Sequence, residues 1–175
     1  MSEKPGRYQR SVSGMVGAMI VLVVLVVALV AVRNLLQDEP TSTVEPVDYR
    51  KTAEIGQEQV GFPILAPETL AEGWRATSVR LTPEPTPAWH LGLLTDQDRY
   101  VGLEQSRRTE ERMVEAFVDR DAVKGDPVQV AGETWRTWTD EGGDTALTRV
   151  EDGVTVLVVG TPGLDVLTEF AATLQ

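Results

Sequence analysis

Apolar positions are unevenly distributed along the chain, and their rhythm changes three times. Residues 12–32, "VSGMVGAMIVLVVLVVALVAV", run for 21 positions without a charge. As a helix rising 1.5 Å per residue, such a run would span about 30 Å, the thickness of a bilayer's hydrocarbon core. Its many β-branched residues favour strand in water, but a lone spanning segment in lipid must be helical to satisfy its own backbone. The rival reading is a cleaved signal peptide. Its apolar region is normally about 7–15 residues and ends at a small-residue site, for which Val26-Val27-Ala28 is a poor match. Residues 34–47 then carry two prolines and few large apolar groups, the pattern of a spacer.

From residue 48 the pattern becomes that of a folded domain. Asp48 precedes a thin apolar stripe, Tyr49, Ala53, Ile55 and Val60, and predicts a short helix that it caps. In "GFPILAPETLAEGWRATSVRL" (61–81), Pro63 and Pro67 prevent a continuous helix, and Gly73 permits a turn that delivers Trp74 into a strand. That strand alternates imperfectly through Trp74, Ala76, Val79 and Leu81. Strands follow at 89–94 and 100–106 across the "TDQDR" turn, and Thr109 opens a helix with Glu110 and Glu111 in its first turn. The order then repeats. A short arm and a Trp135 strand fill 128–139, and a hairpin through "EDG" joins 145–150 to "VTVLVV" at 154–159, the best candidate for a central strand. Thr161-Pro162 opens a final helix with Leu164, Leu167, Ala171 and Leu174 inward.

The predicted architecture is therefore α+β: an N-terminal transmembrane helix, then an extracytoplasmic antiparallel sheet with two or three helices packed on one face. Within it, a βββα unit reads twice, as a true pseudo-symmetry or as a topological echo. The divisions are a cytoplasmic tail over 1–11, the transmembrane helix over 12–33, a linker over 34–47 and the domain over 48–175. Charge sets the orientation. Lys4, Arg7, Arg10 and Arg33 against Glu3 contribute +3 of a net charge of -11, so -14 falls on the remainder. Basic residues ahead of the apolar run keep the N-terminus in the cytoplasm, which gives a single-pass cell-membrane protein with its C-terminal domain outside. So acidic a domain is a poor nucleic-acid binder. With no cysteines, disulfides and thiolate chemistry are excluded.

Candidate chemistry is sparse. His90, the one histidine, has no second His or Cys with which to hold zinc. The acidic runs Asp96/Asp98 and Asp140/Glu141/Asp144 lie in turns but lack the spacing of a calcium loop. Ser78 and Ser106 lie in or beside strands, without a Gly-x-Ser-x-Gly elbow and with no base placed for either. No catalytic, metal or cofactor site is assigned. The four tryptophans, Trp74, Trp89, Trp135 and Trp138, serve either the core or a cleft, and Trp89 and Trp138 are the assigned ligand or partner contacts. Trp135 and Trp138 fall on opposite faces of a regular strand.

Several blocks carry a family likeness. "PVDYR" (46–50), "FPILAPETLAEGWRATSVR" (62–80), "WHLGLLTDQDRYVGLEQS" (89–106), "VAGETWRTW" (130–138) and "ALTRVEDGVTVLVVGT" (146–161) resemble the actinobacterial membrane-anchored proteins grouped as domain of unknown function 4245. Ala71 stands where that family often has Pro. The resemblance implies an anchored cell-envelope protein and carries over no active residues. The leading expectation is a non-enzymatic envelope protein, held in the lipid bilayer through residues 12–33, that binds an envelope protein or other envelope component. A lipid- or glycolipid-binding domain is the second reading. A hydrolase using Asp140 with Glu104 or Asp96 is the third.

Overall fold

A computed structural model describes residues 16–17, 19–27 and 48–175, which fall in two separate units. The first differs from expectation. Among the described residues no helix is long and apolar enough to cross a membrane. The described helical residues there are 16–17 and 19–27. The transmembrane helix over 12–33 is thus not supported. With it fall the bilayer as a partner, the single-pass topology and the membrane-anchored form of the expected function. The tail over 1–11, the linker over 34–47 and the rest of 12–33 lie outside the described residues.

Residues 48–175 form the predicted α+β domain. Helix α1 (Tyr49–Val60) starts where Asp48 Oδ1 accepts the Lys51 N–H at 3.2 Å, and it ends at Gly61, whose φ of 67° is left-handed. Its inward stripe is Tyr49, Ala53, Gly56 and Val60, whereas Ile55 is 57% exposed. Gly56 takes the inward place because a Cβ there would lie 2.7 Å from Leu81 Cδ1. Next comes the proline-broken stretch, in which Phe62 and Ile64 are buried. The Gln105 side chain pins it from the sheet, accepting from Leu65 N at 2.7 Å and donating to the Pro63 carbonyl at 3.2 Å. Gly73, at φ 78°, makes the turn into the first strand.

The strands are β1 (Arg75–Thr82), β2 (Ala88–Leu94), β3 (Tyr100–Ser106), β4 (Val123–Lys124), β5 (Val128–Val130), β6 (Glu133–Thr139), β7 (Thr145–Glu151) and β8 (Val154–Gly160). Helix α2 (Glu110–Phe117) follows β3, and α3 (Leu164–Ala171) follows β8. The sheet order is β1-β2-β3-β8-β7-β6-β4, with β5 paired to β6 and all the pairs antiparallel. Strand β8 is buried along its whole length between β3 and β7, the central place its continuous apolar run predicts. Two elements depart from the sequence pattern. Strand β4, two exposed residues on the edge of β6, has no apolar rhythm to announce it. Helix α3 is capped at Gly163, two residues beyond Thr161.

Helices occupy both faces of the sheet, not one. Val156 and Val158 of β8 join the core that contains α1 and α3 residues Tyr49, Leu167 and Phe170. Leu157 and Val159 join Met113 and Val114 of α2 on the other side. The two three-stranded meanders repeat, β1-β2-β3 facing β6-β7-β8 across the β3–β8 seam. The helices do not follow that repeat. Helix α2 crosses onto β7 and β8, and α3 also packs on β7 and β8, from the opposite face. Among the described residues of the domain, no helix covers the other half of the α2 face, over β1, β2 and β3.

Candidate functional site

The geometry of that bare half starts with a bulge. Ala76 pairs with Leu93 and the next paired residue, Ser78, with Gly92, so Thr77 is extra on β1. Its hydroxyl donates to the Gly92 carbonyl at 3.1 Å. An extra residue reverses the pleat phase: Ala76 and Val79 face the α1/α3 core, while Ser78 turns to the opposite face. There it meets His90, with Ser78 Oγ 2.9 Å from Nε2. His90 Nδ1 in turn pairs with the Glu104 carboxylate across β2–β3. A carboxylate only accepts, so Nδ1 carries a proton, and in the neutral ring Nε2 is left to accept from the Ser78 hydroxyl. Ser78, His90 and Glu104 thus form a serine–histidine–carboxylate relay.

Two glycines give it room. A Cβ on Gly92 would sit 2.3 Å from Ser78 Oγ, and one on Gly102 would sit 2.7 Å from the Tyr100 hydroxyl. Burial grades across the relay. The Glu104 side chain is 6% exposed and His90 16%, Ser78 is half-buried, and Tyr100 is exposed. Burial pushes the Glu104 carboxyl above the ordinary carboxylate value, while the His90 hydrogen bond and charge, and then Arg80, pull it back. Tyr100 is raised by burial first and by Glu104 second, with Arg80 opposing. Arg80 pairs with His90 in register. From the Arg80–His90–Glu104 row a groove of about 200 Å³ runs toward α2, walled by Met113 and Phe117.

A second, larger recess lies at the end of the sheet on the α3 side. About 430 Å³ in volume, it is bounded by Leu70 and Ala71, by Asp96 and Arg99 of the β2–β3 turn, and by Val166 and Glu169 of α3. Its floor is aromatic: Trp74 stacks on Phe170 with ring centroids 5.7 Å apart and planes inclined by 20°. The proline-broken stretch therefore both closes the core and forms one wall of this cleft.

The residues singled out from sequence are dispersed. Trp89 is fully buried, and its indole N–H has no partner among the described residues. Trp138 is half-buried and donates to Thr148 Oγ1 at 2.8 Å, and Lys124 Nζ lies 5.8 Å from its ring centre. Trp135 is buried in the α1/α3 core and Trp138 packs on the α2 side, the opposed faces that their spacing predicts. Asp96 borders the cleft, and Asp98 pairs with Arg75. Asp140 Oδ1 accepts the Asp144 N–H at 2.7 Å within the β6–β7 turn. With β8 and β7 lying between β3 and β6, Asp140 and Glu104 do not converge. Among the described residues no group of three or more His, Asp or Glu is placed to hold a metal. Ser106 donates to the Pro87 carbonyl at 3.0 Å. The base that sequence spacing leaves unplaced for Ser78 is His90, twelve positions along the chain. The imperfect alternation of β1, three positions from Ala76 to Val79 instead of two, is the one sequence signal that foreshadows this.

These features define an α+β domain of one antiparallel sheet between helices, with an aromatic cleft at one end and a polar relay on a bare face. The chain belongs to the family described as protein of unknown function (DUF4245), whose model matches residues 7–174. No curated protein matches it.

Proposed function

We propose that residues 48–175 act as a binding module that takes a planar apolar group into the cleft over Trp74 and Phe170. The stacked aromatic floor carries this reading: the two rings sit at the base of an open recess whose volume lies in the range of small-ligand sites. Aromatic faces favour offset stacking with a further ring. Around them Asp96, Arg99 and Glu169 supply a few charged groups that would orient a polar end. Among the described residues no histidine and no serine line this cleft.

The test is titration of the full chain with 8-anilinonaphthalene-1-sulfonate, a planar aromatic anion, read by its fluorescence and by tryptophan quenching. Saturable binding that disappears in Val166→Trp, with the melting temperature kept, supports the proposal. Equal binding by Val166→Trp places the probe elsewhere and overturns it.

A further inference from the structure

We propose that Ser78 is an activated nucleophile and that the bare face of β1–β2–β3 is an acyl-transfer site for short-chain esters. The arrangement goes beyond a chance polar contact in three respects. The bulge at Thr77 is what brings Ser78 onto the His90 face. Gly92 leaves the space that the Ser78 hydroxyl occupies, since any Cβ would collide with it. Histidine and carboxylate follow in the order that removes a proton from a serine, Oγ to Nε2 and Nδ1 to Oε1. Ser78 shares a row with Gly92 and Gly102 and does not itself line the groove of about 200 Å³, which starts one row over at His90 and Glu104 with Met113 and Phe117 as walls. An acyl chain would reach it across His90, and its volume restricts it to short chains.

The reaction balances with water as the only co-reactant. Ser78 Oγ forms a bond to the ester carbonyl carbon as its proton passes to His90 Nε2. The carbonyl–oxygen ester bond breaks, and the departing alcohol takes that proton. Water then adds to the acyl-serine, its proton passing through His90, and a carboxylic acid leaves with Ser78 restored. Arg80, two residues from Ser78 on the same strand face and opposite His90 in register, supplies the positive charge for the oxyanion. Ser78 and His90 are the catalytic residues, and Glu104 is a positioning residue that fixes the imidazole tautomer. The cleft over Trp74 lies on the other face of the sheet, so this site and the binding reading stand or fall separately.

The experiment treats the full chain with a fluorophosphonate probe, which joins its phosphorus to a serine oxygen and releases fluoride, and follows labelling by intact mass and peptide mapping. One label on Ser78, absent from Ser78→Ala, is expected. In His90→Asn the labelling rate should fall by roughly a hundredfold or more, the usual share of a general base. Glu104→Gln should displace the pH profile of labelling, which a purely structural carboxylate would not do. If His90→Asn does not fold, the wild-type profile decides: a rate that rises with imidazole deprotonation supports the relay, and a rate flat between about pH 5 and 8, where histidine titrates, overturns it. No label at Ser78, or label retained by Ser78→Ala, overturns it as well. Hydrolysis of 4-nitrophenyl butyrate by the wild type but not by Ser78→Ala would complete the cycle.

Discussion

One row of side chains crosses six strands of the sheet, and its two halves have opposite fates. On β1, β2 and β3 it reads Arg80, His90 and Glu104. On β8, β7 and β6 it continues as Leu157, Thr148 and Arg136. Helix α2 covers the second half and leaves the first open. Each half buries a glutamate. Glu110 of α2, 7% exposed, is held by Arg136 and by the hydroxyl of Thr148, which also receives the Trp138 indole N–H. Glu104, 4% exposed, is hydrogen-bonded by one imidazole. A permanent cation and a hydroxyl oriented by the Trp138 N–H make Glu110 a fastener for its helix. A single titratable partner, itself bonded to a serine, leaves Glu104 coupled to a proton.

If coverage is the difference, the covered half should be the more sensitive to truncation. Leu157→Ala removes a fully buried side chain between β8 and α2 and should cost about 3 kcal/mol, the usual range for a core leucine. Tyr100→Ala, on the open half and 39% exposed, should cost clearly less. Urea unfolding midpoints compare the two directly, and equal losses would mean that the open half is no less a core than the covered one.

The fastener is the next test. Glu110→Ala strands Arg136 and takes a partner from Thr148, which is fully buried. Removing one member of a buried charged pair typically costs several kcal/mol. Because Arg136 is half-exposed to solvent and can be hydrated, about 2 kcal/mol is expected here. Hydrogen exchange should place the loss in α2 and the adjoining β7. A loss spread evenly over α1 and β1 would show that Glu110 does not fasten α2.

Much of this contrast was legible in the chain, and its decisive part was not. Periodicity marks α1, α2, α3 and seven of the strands, because each depends on local alternation or helical spacing. The central place of β8 follows from its unbroken apolar run. Which face each helix takes depends on crossovers, so α2 on the far side of the sheet could not be read from its own stripe. The relay is non-local too: Ser78, His90 and Glu104 stand twelve and fourteen positions apart in successive pairs, and only strand register brings them together. The same holds for Trp74. As a residue at a strand entrance it looks like a plug, and it becomes a cleft floor only when Phe170 of α3 stacks on it.

The smallest effect sharpens the comparison most, because it concerns only the coupling of Glu104 to a proton. Burial raises its carboxyl above the 4.5 of a free glutamate, in spite of His90 and Arg80. The folded domain therefore holds that proton more tightly than the unfolded chain does. Stability from this group is fully present below about 4.5 and declines as pH rises through the folded value. Glu104→Gln cannot ionise, so the stability of the wild type relative to this variant should fall as pH rises above that point and level off below it. His90, Arg80 and Tyr100 face the carboxyl, and each keeps its identity in the comparison, so the difference isolates position 104 and its coupling to them. Paired urea titrations across acid and neutral pH supply the measurement. A difference that grows in favour of the wild type on raising pH would show Glu104 to be a carboxylate stabilised by its partners, and the open half would then differ from the covered one in cover and not in its coupling to a proton.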